Sequence, residues 1–367
     1  MIKILHLVGI MNRAGLETFI MNMYRNIDTL EICFDFLCTL EKTGEYDEEI
    51  KELGGQIYYM PLVTSGGIVR HLNNFKIMKQ TFKQYVSRYD VLHIHNYHAF
   101  DSYLAALPAI QAGFRKVIVH SHSTNAEFHP LLHKMAQPLL NKLPVTRLAC
   151  SQAAGKWLFG KGNIEVISNG IDIEKFKYDE NIRKEYRKLL GLEGNYVLGH
   201  VGRFEYVKNQ KFLCEIIKQL AEYIPNIKLV FVGDGCDREN IETLSHDLGV
   251  KEKILFLGTR SDVNYIYQAF DVFVFPSFFE GVPLSIVEAE TSGLPCVLSL
   301  GVPKEIDYAM NVYHEDINDS LAWVDRIYRI YEEKDADRSL GETTIRKAGY
   351  DVKESCEKLS RVYKDYL

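Results

Sequence analysis

Short apolar runs alternate with longer amphipathic stretches through the first half of the chain. The run Ile2–Val8 ends at Gly9, and a loop and a helical pattern over Leu16–Asn26 follow it. Six further runs have the length of strands: Cys33–Thr39, Gln56–Met60, Asp90–His95, Lys116–His120, Arg147–Ser151 and Ile164–Ser168. Strand-length runs separated by helical periodicity predict βαβ units and a parallel sheet.

The same alternation restarts after Asp172. Strands are predicted at Tyr196–Val201, Lys228–Val232, Ile254–Leu257, Val272–Phe275 and Pro295–Leu298, and helices over Asn209–Tyr223 and Leu284–Thr291. The turn signal Asn169-Gly170 favours a boundary nearby. We therefore predict domains at residues 1–172 and 173–345. Residues 346–367 are predicted to form a helix that packs back on the first domain, in a tail that is helical from about Leu340 and adds no strand.

These patterns place the chain in the α/β class, with two doubly wound, Rossmann-like parallel sheets in tandem. In such sheets the carboxyl ends of the strands form the ligand-binding crevice, so we expect the two domains to face a cleft. The fold alone does not give the function.

Composition narrows the class of protein. The 367 residues are 47% hydrophobic and 25% charged, which is typical of a soluble globular protein. Seven scattered cysteines form no C-x-x-C pair, so neither a disulfide framework nor a structural zinc site is predicted, and a reducing cytoplasm fits. No run approaches the roughly 20 apolar residues of a membrane span.

The net charge of −6 is unevenly distributed along the sequence. Residues 1–170 carry 17 Lys and Arg against 14 Asp and Glu, and residues 171–367 carry 26 against 35. The first half can therefore meet an anionic surface that the second half would repel. We expect no nucleic-acid partner.

Two glutamates separated by seven residues follow the predicted strand that ends at Phe275. Glu280 lies in a Gly/Pro-containing loop, and Glu288 lies about one turn inside the helix that begins near Leu284. Carboxylates accept hydrogen bonds from sugar hydroxyls, and the amides that begin the helix suit a phosphate. The alternative is a helix-dipole glutamate beside an unrelated surface glutamate. The loop-to-helix context favours the ligand-binding interpretation.

A second loop follows the strand that ends at Val201. It contains Gly202, Arg203 and Lys208 and precedes a helix. Two fixed cations, and a glycine that permits close backbone approach, would stabilise the charge that develops on a departing diphosphate. Taken singly, the two basic residues would be interpreted as solvated surface charges. Their combination with the glutamate pair favours the site.

These motifs together resemble glycosyltransferase family 4. The matching segments are Gly202-Arg203-x4-Lys208, Gly233-Asp234-Gly235, Glu280-x7-Glu288, Ser292-Gly293-Leu294-Pro295 and Val166-Ile167-Ser168-Asn169-Gly170-Ile171-Asp172, the last similar to the family's V-I-P-N-G-V-D. They extend over nearly the whole chain. Within the family, the sequence looks most like bacterial exopolysaccharide and capsule enzymes.

The resemblance implies a GT-B fold and a retaining hexosyltransferase that needs no metal or other cofactor. It implies that Arg203 and Lys208 bind the donor diphosphate, that Glu280 contacts the donor sugar, and that Glu288 holds the ribose diol. It also implies donor-binding roles, several through backbone amides, for Gly15, Asn169, Gly202, Gly281, Val282, Pro283 and Leu284. The donor base would lie near Gly258–Val263, mostly on backbone groups, so its identity stays hidden and UDP is an assumption.

The sequence departs from the family pattern in two places. The family's G-G-x-E loop stands here as Ala14-Gly15-Leu16-Glu17, so alanine replaces the first glycine. Asn209 occupies a position that is commonly glycine in the family. The first domain is implied to bind the acceptor, a glycan or lipid-linked saccharide.

Histidines form a third cluster: His93, His95, His98, His120 and His122. His93 and His95 alternate onto one face of a strand, which favours a core or hydrogen-bonded role for at least one of them. A zinc site is the alternative, but no Cys or Glu ligand lies nearby in sequence. His122 aligns with the family's active-site histidine, which implies a hydrogen bond to the transferred sugar or the incoming hydroxyl.

Residues 70–88 predict a basic amphipathic helix. Leu53 to Tyr89 contains no Asp or Glu, and Lys76, Lys79 and Lys83 accompany apolar residues at helical spacing. The helix is either an ordinary core-facing element with solvated lysines or a peripheral contact with anionic lipid beside a lipid-linked acceptor.

The most concrete hypothesis is therefore a cytoplasmic retaining glycosyltransferase that acts in cell-surface polysaccharide synthesis. The alternatives are a nucleotide-sugar epimerase on the same architecture and a catalytically inert scaffold subunit that binds nucleotide sugar. A dinucleotide-dependent oxidoreductase is disfavoured because no G-x-G-x-x-G follows the first strand. The donor sugar, acceptor, linkage and oligomeric state cannot be predicted from the sequence.

Overall fold

The computed structural model describes residues 1–64, 67–123, 129–333 and 337–365. It divides into two compact units. Unit 1 comprises Met1–Gly170 together with Val352–Leu367, and unit 2 comprises Ile171–Asp351. The first division falls two residues before the predicted boundary, and the second falls six residues after residue 345.

Helices and strands alternate along both units. Through residue 170 the elements are β1 (Ile2–Val8), α1 (Gly15–Asn26), β2 (Ile32–Cys38), α2 (Asp47–Glu52), β3 (Ile57–Tyr59), α3 (Gly67–Tyr85), β4 (Val91–Asn96), α4 (Ala99–Ala112), β5 (Lys116–Ser121), α5 (Pro130–Asn141), β6 (Thr146–Ala149), α6 (Gln152–Phe159) and β7 (Glu165–Val166). The remaining elements are α7 (Ile173–Phe176), α8 (Glu180–Leu189), β8 (Tyr196–Val201), α9 (Gln210–Leu220), β9 (Ile227–Val232), α10 (Arg238–Asp247), β10 (Ile254–Phe256), α11 (Val263–Ala269), β11 (Val272–Phe275), α12 (Leu284–Thr291), β12 (Cys296–Ser299), β13 (Val312–Glu315), α13 (Ser320–Glu333), α14 (Gly341–Lys347) and α15 (Val352–Lys364).

Each unit contains one parallel sheet. The order of the seven strands in unit 1 is β3-β2-β1-β4-β5-β6-β7, and the order of the six in unit 2 is β10-β9-β8-β11-β12-β13. All strand pairs are parallel. The order reverses between β1 and β4 and again between β8 and β11. The carboxyl ends of those strands are the positions where doubly wound sheets bind ligands.

Apolar side chains cover both faces of each sheet, which explains why most strands are continuous apolar runs. In unit 1, α1 and α15 pack on one face through residues such as Phe19 and Leu359. Helices α3, α4 and α5 pack on the other face. In unit 2, α9 and α13 cover one face, and α11 and α12 cover the opposite one.

Two doubly wound parallel sheets confirm the predicted fold class. The predicted strands all form, with ends that differ by up to two residues, and β1, β8 and β11 have the predicted bounds. Strand β13 was not predicted because it lies at a sheet edge and is only four half-buried residues long. The tail beyond Leu340 contains α14 and α15 and no strand among its described residues.

The predicted basic helix corresponds to α3. Met78 and Phe82 are buried in the core of unit 1, whereas Leu72 is exposed. The part of the apolar stripe that contains Met78 and Phe82 therefore packs against the sheet of unit 1. Among the described residues, no helix combines the length and the apolar character needed to cross a bilayer.

Candidate functional site

The loops that follow β8 and β11 join at the strand-order reversal of unit 2. The Phe278 amide donates to the Val207 carbonyl at 2.9 Å, and the Asn209 side-chain amide donates to the Pro276 carbonyl at 3.3 Å. The Tyr206 and Phe278 rings stack with centroids 4.9 Å apart. Residues that lie about 70 positions apart in the chain thus form one surface at the carboxyl ends of these neighbouring strands.

An ion pair lies on this surface. Lys208 Nζ is 2.5 Å from Glu280 Oε1, and the two side chains are only 19% and 12% exposed. The Lys208 ammonium also lies 4.8 Å from the centre of the Phe275 ring. Lys208 and Glu280 therefore converge, and their enclosure strengthens the local electrostatic field relative to bulk water.

Helix α12 begins beside this pair. Its N-cap residue is Pro283, no side chain caps the helix, and its first turn contains no acidic residue. The leading amides are thus free of the side-chain partners that usually satisfy a helix start. Leu284 is buried, so only its backbone is available to a ligand. Pro283 has no N–H, and the expectation that it donates a backbone amide is wrong.

Glu288 lies within α12 and contacts a residue that the sequence analysis missed. The Tyr267 hydroxyl is 2.9 Å from Glu288 Oε2 and 2.9 Å from the Ser285 carbonyl oxygen. Burial raises the pKa of Glu288 to about 7, although the Tyr267 hydrogen bond opposes the rise. Glu288 is therefore a weakly charged acceptor held in place by a phenol. A lone tyrosine in α11 carries no sequence signal of this contact.

Arg203 is not joined to the other predicted donor-binding side chains. Its guanidinium pairs with Glu205 (Nη2–Oε1 3.1 Å), and its side chain is 58% exposed. Of the two basic residues and two glutamates that the sequence analysis combines in one site, Lys208 and Glu280 form an ion pair in the described structure, and Arg203 pairs elsewhere. The neighbouring carboxylate of Glu205 explains the difference, because it holds the guanidinium in an exposed ion pair.

Two glycines shape the loops. At Gly202, an added Cβ would lie 3.3 Å from His200 Nε2, a tight contact, so a side chain here would require the His200 ring to shift. At Gly301, a Cβ would lie 2.1 Å from the Phe278 carbonyl oxygen. The Gly301 carbonyl also accepts the Glu280 amide at 3.1 Å. Gly301 therefore permits the close approach that fixes the Glu280 backbone, a role that the sequence analysis missed.

In unit 1, Gly15 begins α1. Among the residues that the structure describes, no atom lies within 4 Å of the position that its Cβ would take, and the N-cap Ala14 supplies no side-chain hydrogen bond. The space at this helix start is thus open to a ligand. Whether a phosphate binds there stays a prediction.

Five histidine rings lie together at the carboxyl ends of β1, β4 and β5. Parallel register pairs His6 with His93 and His95 with His120, and His122 follows β5. His6 was missed because a single histidine in an apolar strand has no sequence signal. His98 does not belong to these hydrogen-bonded rings and lies beside Asp101 (Nδ1–Oδ2 3.5 Å).

The rings form two hydrogen-bonded chains. In the first, His6 Nδ1 is 2.8 Å from His95 Nε2, and His95 Nδ1 is 3.0 Å from His122 Nε2. In the second, the Tyr363 hydroxyl is 2.7 Å from His93 Nδ1, and His93 Nε2 is 3.2 Å from His120 Nδ1. The prediction of hydrogen-bonded histidines is confirmed. Burial lowers the pKa of His6 and of His122 to about 3, so the rings are neutral.

The spacing of the ring nitrogens would also admit a metal ion. Nitrogens of His6, His93 and His95 lie within 4.8 Å of one another, as do those of His95, His120 and His122. Both groups consist of imidazoles alone, and most of their nitrogens are engaged in hydrogen bonds with one another or with Tyr363. A zinc ion would have to displace these hydrogen bonds, so we keep the hydrogen-bonded interpretation, and zinc stays the alternative.

The Asn169 side chain lies beside His122, whose Nδ1 is the ring nitrogen that is not bonded to His95. Its side chain partly offsets the fall in the His122 pKa. Among the described residues, however, neither Asn169 Oδ1 nor His122 Nδ1 completes a hydrogen bond of ordinary geometry. Asn169 is only 5% exposed. Two unsatisfied polar atoms side by side in a buried position indicate a binding point.

Two known protein families match this chain, one in each half of the sequence. The family Glycosyltransferase Family 4 matches residues 13–175, and the family Glycosyl transferases group 1 matches residues 182–347. The first match ends close to the start of unit 2, and the second lies entirely within that unit.

Three known proteins illustrate the similarity. The Bacillus subtilis protein named as glycosyltransferase EpsF is 32% identical over 98% of this chain and 96% of its own length. An Escherichia coli protein is 31% identical over 73% of this chain and 74% of its own length; it is named UDP-Gal:alpha-D-GlcNAc-diphosphoundecaprenol alpha-1,3-galactosyltransferase. The crystal structure of Anabaena HepE in complex with UDP-glucose superposes with a TM-score of 0.79 at 20% identity and covers 100% of both chains.

Proposed function

The chain belongs to the glycosyltransferases that combine a family 4 domain with a group 1 domain on a GT-B fold, and we propose that it is a retaining hexosyltransferase with a UDP-sugar donor. Its proposed acceptor is a lipid-linked saccharide in cell-surface polysaccharide synthesis. The donor base and acceptor class are supported by the name of the Escherichia coli relative and by the nucleotide in the Anabaena complex.

The Lys208–Glu280 pair beside the uncapped start of α12 is the observation that carries this proposal. A cation and free helix amides are the groups that bind a diphosphate, and a carboxylate beside them suits the hydroxyls of the attached sugar. Glu288 and Tyr267 would hold the ribose diol. Arg203 would exchange Glu205 for a diphosphate oxygen when the donor binds.

The proposed reaction is a front-face substitution at the anomeric carbon. The bond from that carbon to the diphosphate oxygen breaks, and its electron pair stays on the leaving UDP. The acceptor hydroxyl oxygen forms the new bond on the same face, and its proton passes to the leaving phosphate oxygen. Lys208, Arg203 and the α12 amides stabilise the charge that develops on the leaving group. No metal is required for these steps.

Unit 1 would supply the acceptor side and one contact to a sugar hydroxyl. A hydroxyl both accepts and donates a hydrogen bond. The buried His122 nitrogen and the Asn169 carbonyl oxygen offer a complementary pair of positions. We propose that a hydroxyl of the transferred sugar or of the acceptor binds there.

The proposal is tested by cation removal with a matched control. Lys208→Ala and Arg203→Ala should each lower kcat by about 100-fold, because each removes stabilisation of the leaving diphosphate. Lys211→Ala removes an exposed lysine from the first turn of α9 and should leave kcat unchanged. Near-normal turnover in the Lys208→Ala, Arg203→Ala double variant would refute the assignment.

Donor and product are identified in two further steps. A thermal-shift panel of nucleotide sugars should show the largest stabilisation with the true donor, because a ligand that binds only the folded state raises its stability. NMR of the product should then show the donor's anomeric configuration, and turnover should persist with a chelator present. A product still attached to the nucleotide would instead indicate an epimerase. A chelator-sensitive activity would contradict the metal-free mechanism.

A further inference from the structure

The first histidine chain connects a candidate substrate contact to the interior of the β-sheet. His122 is linked through Nε2 to His95, and His95 is linked through its other nitrogen to His6. At each end of this histidine chain, one ring nitrogen has no hydrogen-bond partner among the described residues. These nitrogens are His122 Nδ1, beside Asn169, and His6 Nε2, inside the core. His6 and His95 are buried, with 1% and 8% of their surface exposed.

Neutral imidazoles in such a chain cannot choose their tautomers independently. Each ring has one N–H donor and one bare nitrogen acceptor, and each link needs one donor and one acceptor. Two arrangements satisfy both links. In one, every proton lies on Nδ1, and His122 presents an N–H at its open end. In the other, every proton lies on Nε2, and His122 presents a bare nitrogen.

The surroundings of the two ends favour the first arrangement. At the inner end, the His6 ring packs against Phe34 and Phe36, with centroids 4.3 and 5.4 Å away. An N–H aimed into this apolar region would lose its hydrogen bond altogether, and orphaned buried N–H groups are rarer than under-satisfied acceptors. At the outer end, Asn169 Oδ1 is an acceptor without a partner. Both ends therefore favour the proton on His122 Nδ1.

We propose that His95 and His6 are positioning residues that hold the proton of His122 on Nδ1, so that His122 donates a hydrogen bond to a sugar hydroxyl. The inference rests on the proposed function for that hydroxyl. Under it, His122 orients a substrate and does not abstract the acceptor proton, which passes to the leaving phosphate. The second histidine chain, from Tyr363 through His93 to His120, contacts the first through stacked rings, and no hydrogen bond joins it to His122 among the described residues.

His95 and His120 are register partners on adjacent strands, so substitutions at these two positions provide a matched test of the proposal. His95→Phe and His120→Phe each remove a buried imidazole near His122, with ring centroids 5.2 and 4.1 Å away, but only His95 hydrogen-bonds to it. We expect His95→Phe to lower kcat by about 10-fold or more at an unchanged donor KM, as for other lost orienting partners. His120→Phe should change kcat by less than about 3-fold. An equal loss in both variants would mean a packing role and overturn the proposal.

The tautomer itself supplies a readout that does not depend on activity. Long-range proton–nitrogen NMR of the full chain with ¹⁵N-labelled histidine, assigned with His122→Asn, should place the wild-type proton on His122 Nδ1. His6 is hydrogen-bonded to His95 and not to His122, yet the His6→Phe variant should give a mixture of His122 tautomers. An Nε2 proton in the wild type, or an unchanged tautomer in His6→Phe, would overturn the proposal.

A conservative variant and a metal assay complete the test. His95→Asn keeps an N–H near the Nδ1 position and should restore most of the turnover that His95→Phe loses. About one equivalent of zinc in the purified chain would contradict the hydrogen-bonded assignment. The proposed function fails separately, when the wild type transfers no sugar while its His122 tautomer is as expected.

Discussion

Three glutamates of unit 2 occupy three environments. Glu280 is paired with the Lys208 ammonium, and the Glu288 carboxylate accepts a hydrogen bond from the Tyr267 hydroxyl. Glu290 is fully buried and accepts the backbone amides of Tyr308 and Ala309 at 3.0 and 2.8 Å. Of these three carboxylates, Glu280 alone forms an ion pair with a cation among the described residues. The surroundings, and not the residue type, therefore decide which glutamate can serve as a charged ligand.

Glu290 predicts a dependence of stability on pH. Burial raises its pKa from the ordinary 4.5 to about 8, although its two backbone hydrogen bonds oppose the rise. Between these values the folded state binds more protons than the unfolded state, so the free energy of unfolding falls as pH rises. The fall is at most about 1.4 kcal/mol per pH unit from this group, and it ends above about pH 8.

Glu290→Gln isolates this contribution. The neutral amide keeps an acceptor for the two backbone N–H groups, so the variant should be more stable than the wild type at pH 8.5, by roughly 1–3 kcal/mol. At pH 5 the advantage should vanish. Urea unfolding at both pH values measures it, and Glu222→Gln, at an exposed site, is the control. An equal effect at both pH values would contradict the titration of Glu290.

At the scale of elements, the sequence predicts where the site lies better than it predicts how its side chains pair. The loops after β8 and β11 were identified because each follows an apolar strand, contains charged residues and precedes a helix. Their adjacency follows from parallel-sheet topology. The pairing of Arg203 with Glu205 depends on local geometry that no periodicity encodes. Contacts from Tyr267 and Gly301 depend on tertiary packing and have no local signal.

Asn209, which connects the Lys208 loop to α9, adopts a left-handed backbone conformation with φ of 51°. Such a conformation costs most residues about 1–2 kcal/mol, and Asn and Gly tolerate it best. Asparagine therefore suits this position. Its side chain also donates to the Pro276 carbonyl and so ties the two loops together.

Substitutions at Asn209 should follow this conformation. Asn209→Ala should lower the free energy of unfolding by about 2 kcal/mol, because it adds backbone strain to the lost hydrogen bond. Asn209→Gly loses the hydrogen bond but avoids the strain, so it should cost less. At Asn240, exposed in α10, the order should reverse, with Ala better than Gly by about 1 kcal/mol. Denaturant titration of the four variants measures their free energies of unfolding. Equal stability of Asn209→Ala and Asn209→Gly would exclude backbone strain as the cause.

At the scale of the molecule, the repeated alternation of strand and helix predicted two doubly wound sheets. The histidine chains could not be predicted in the same way. His6, His95 and His122 come from three parts of the chain, and only the order β1-β4-β5 and its register bring their rings together. Tyr363 hydrogen-bonds to His93 of the second histidine chain because α15 belongs to unit 1. A single sequence carries no information on such contacts.

The charge distribution bears on the proposed membrane contact. Residues 1–170 carry a net charge of +3, and residues 171–367 carry −9. Helix α4 of unit 1 packs against both α3 and α5. Helix α3 presents Lys76 and Lys83 to solvent, and α5 exposes an apolar stripe that consists of Leu131, Met135 and Leu139. The lysines of α3 and the apolar stripe of α5 are the two kinds of group that bind an anionic lipid surface.

We therefore predict that the chain binds vesicles with anionic lipids and that binding weakens as salt increases. Neutralising Lys76, Lys79 and Lys83 to Gln should abolish most of the binding, since each basic residue near the surface contributes about 1 kcal/mol. The matched control neutralises Lys211, Lys218 and Lys251, which are exposed in unit 2 and should not matter. Cosedimentation with anionic and neutral vesicles measures the difference. Equal losses in the two triple variants would indicate an effect of net charge alone, and unchanged binding in both would end the assignment of α3 to the membrane.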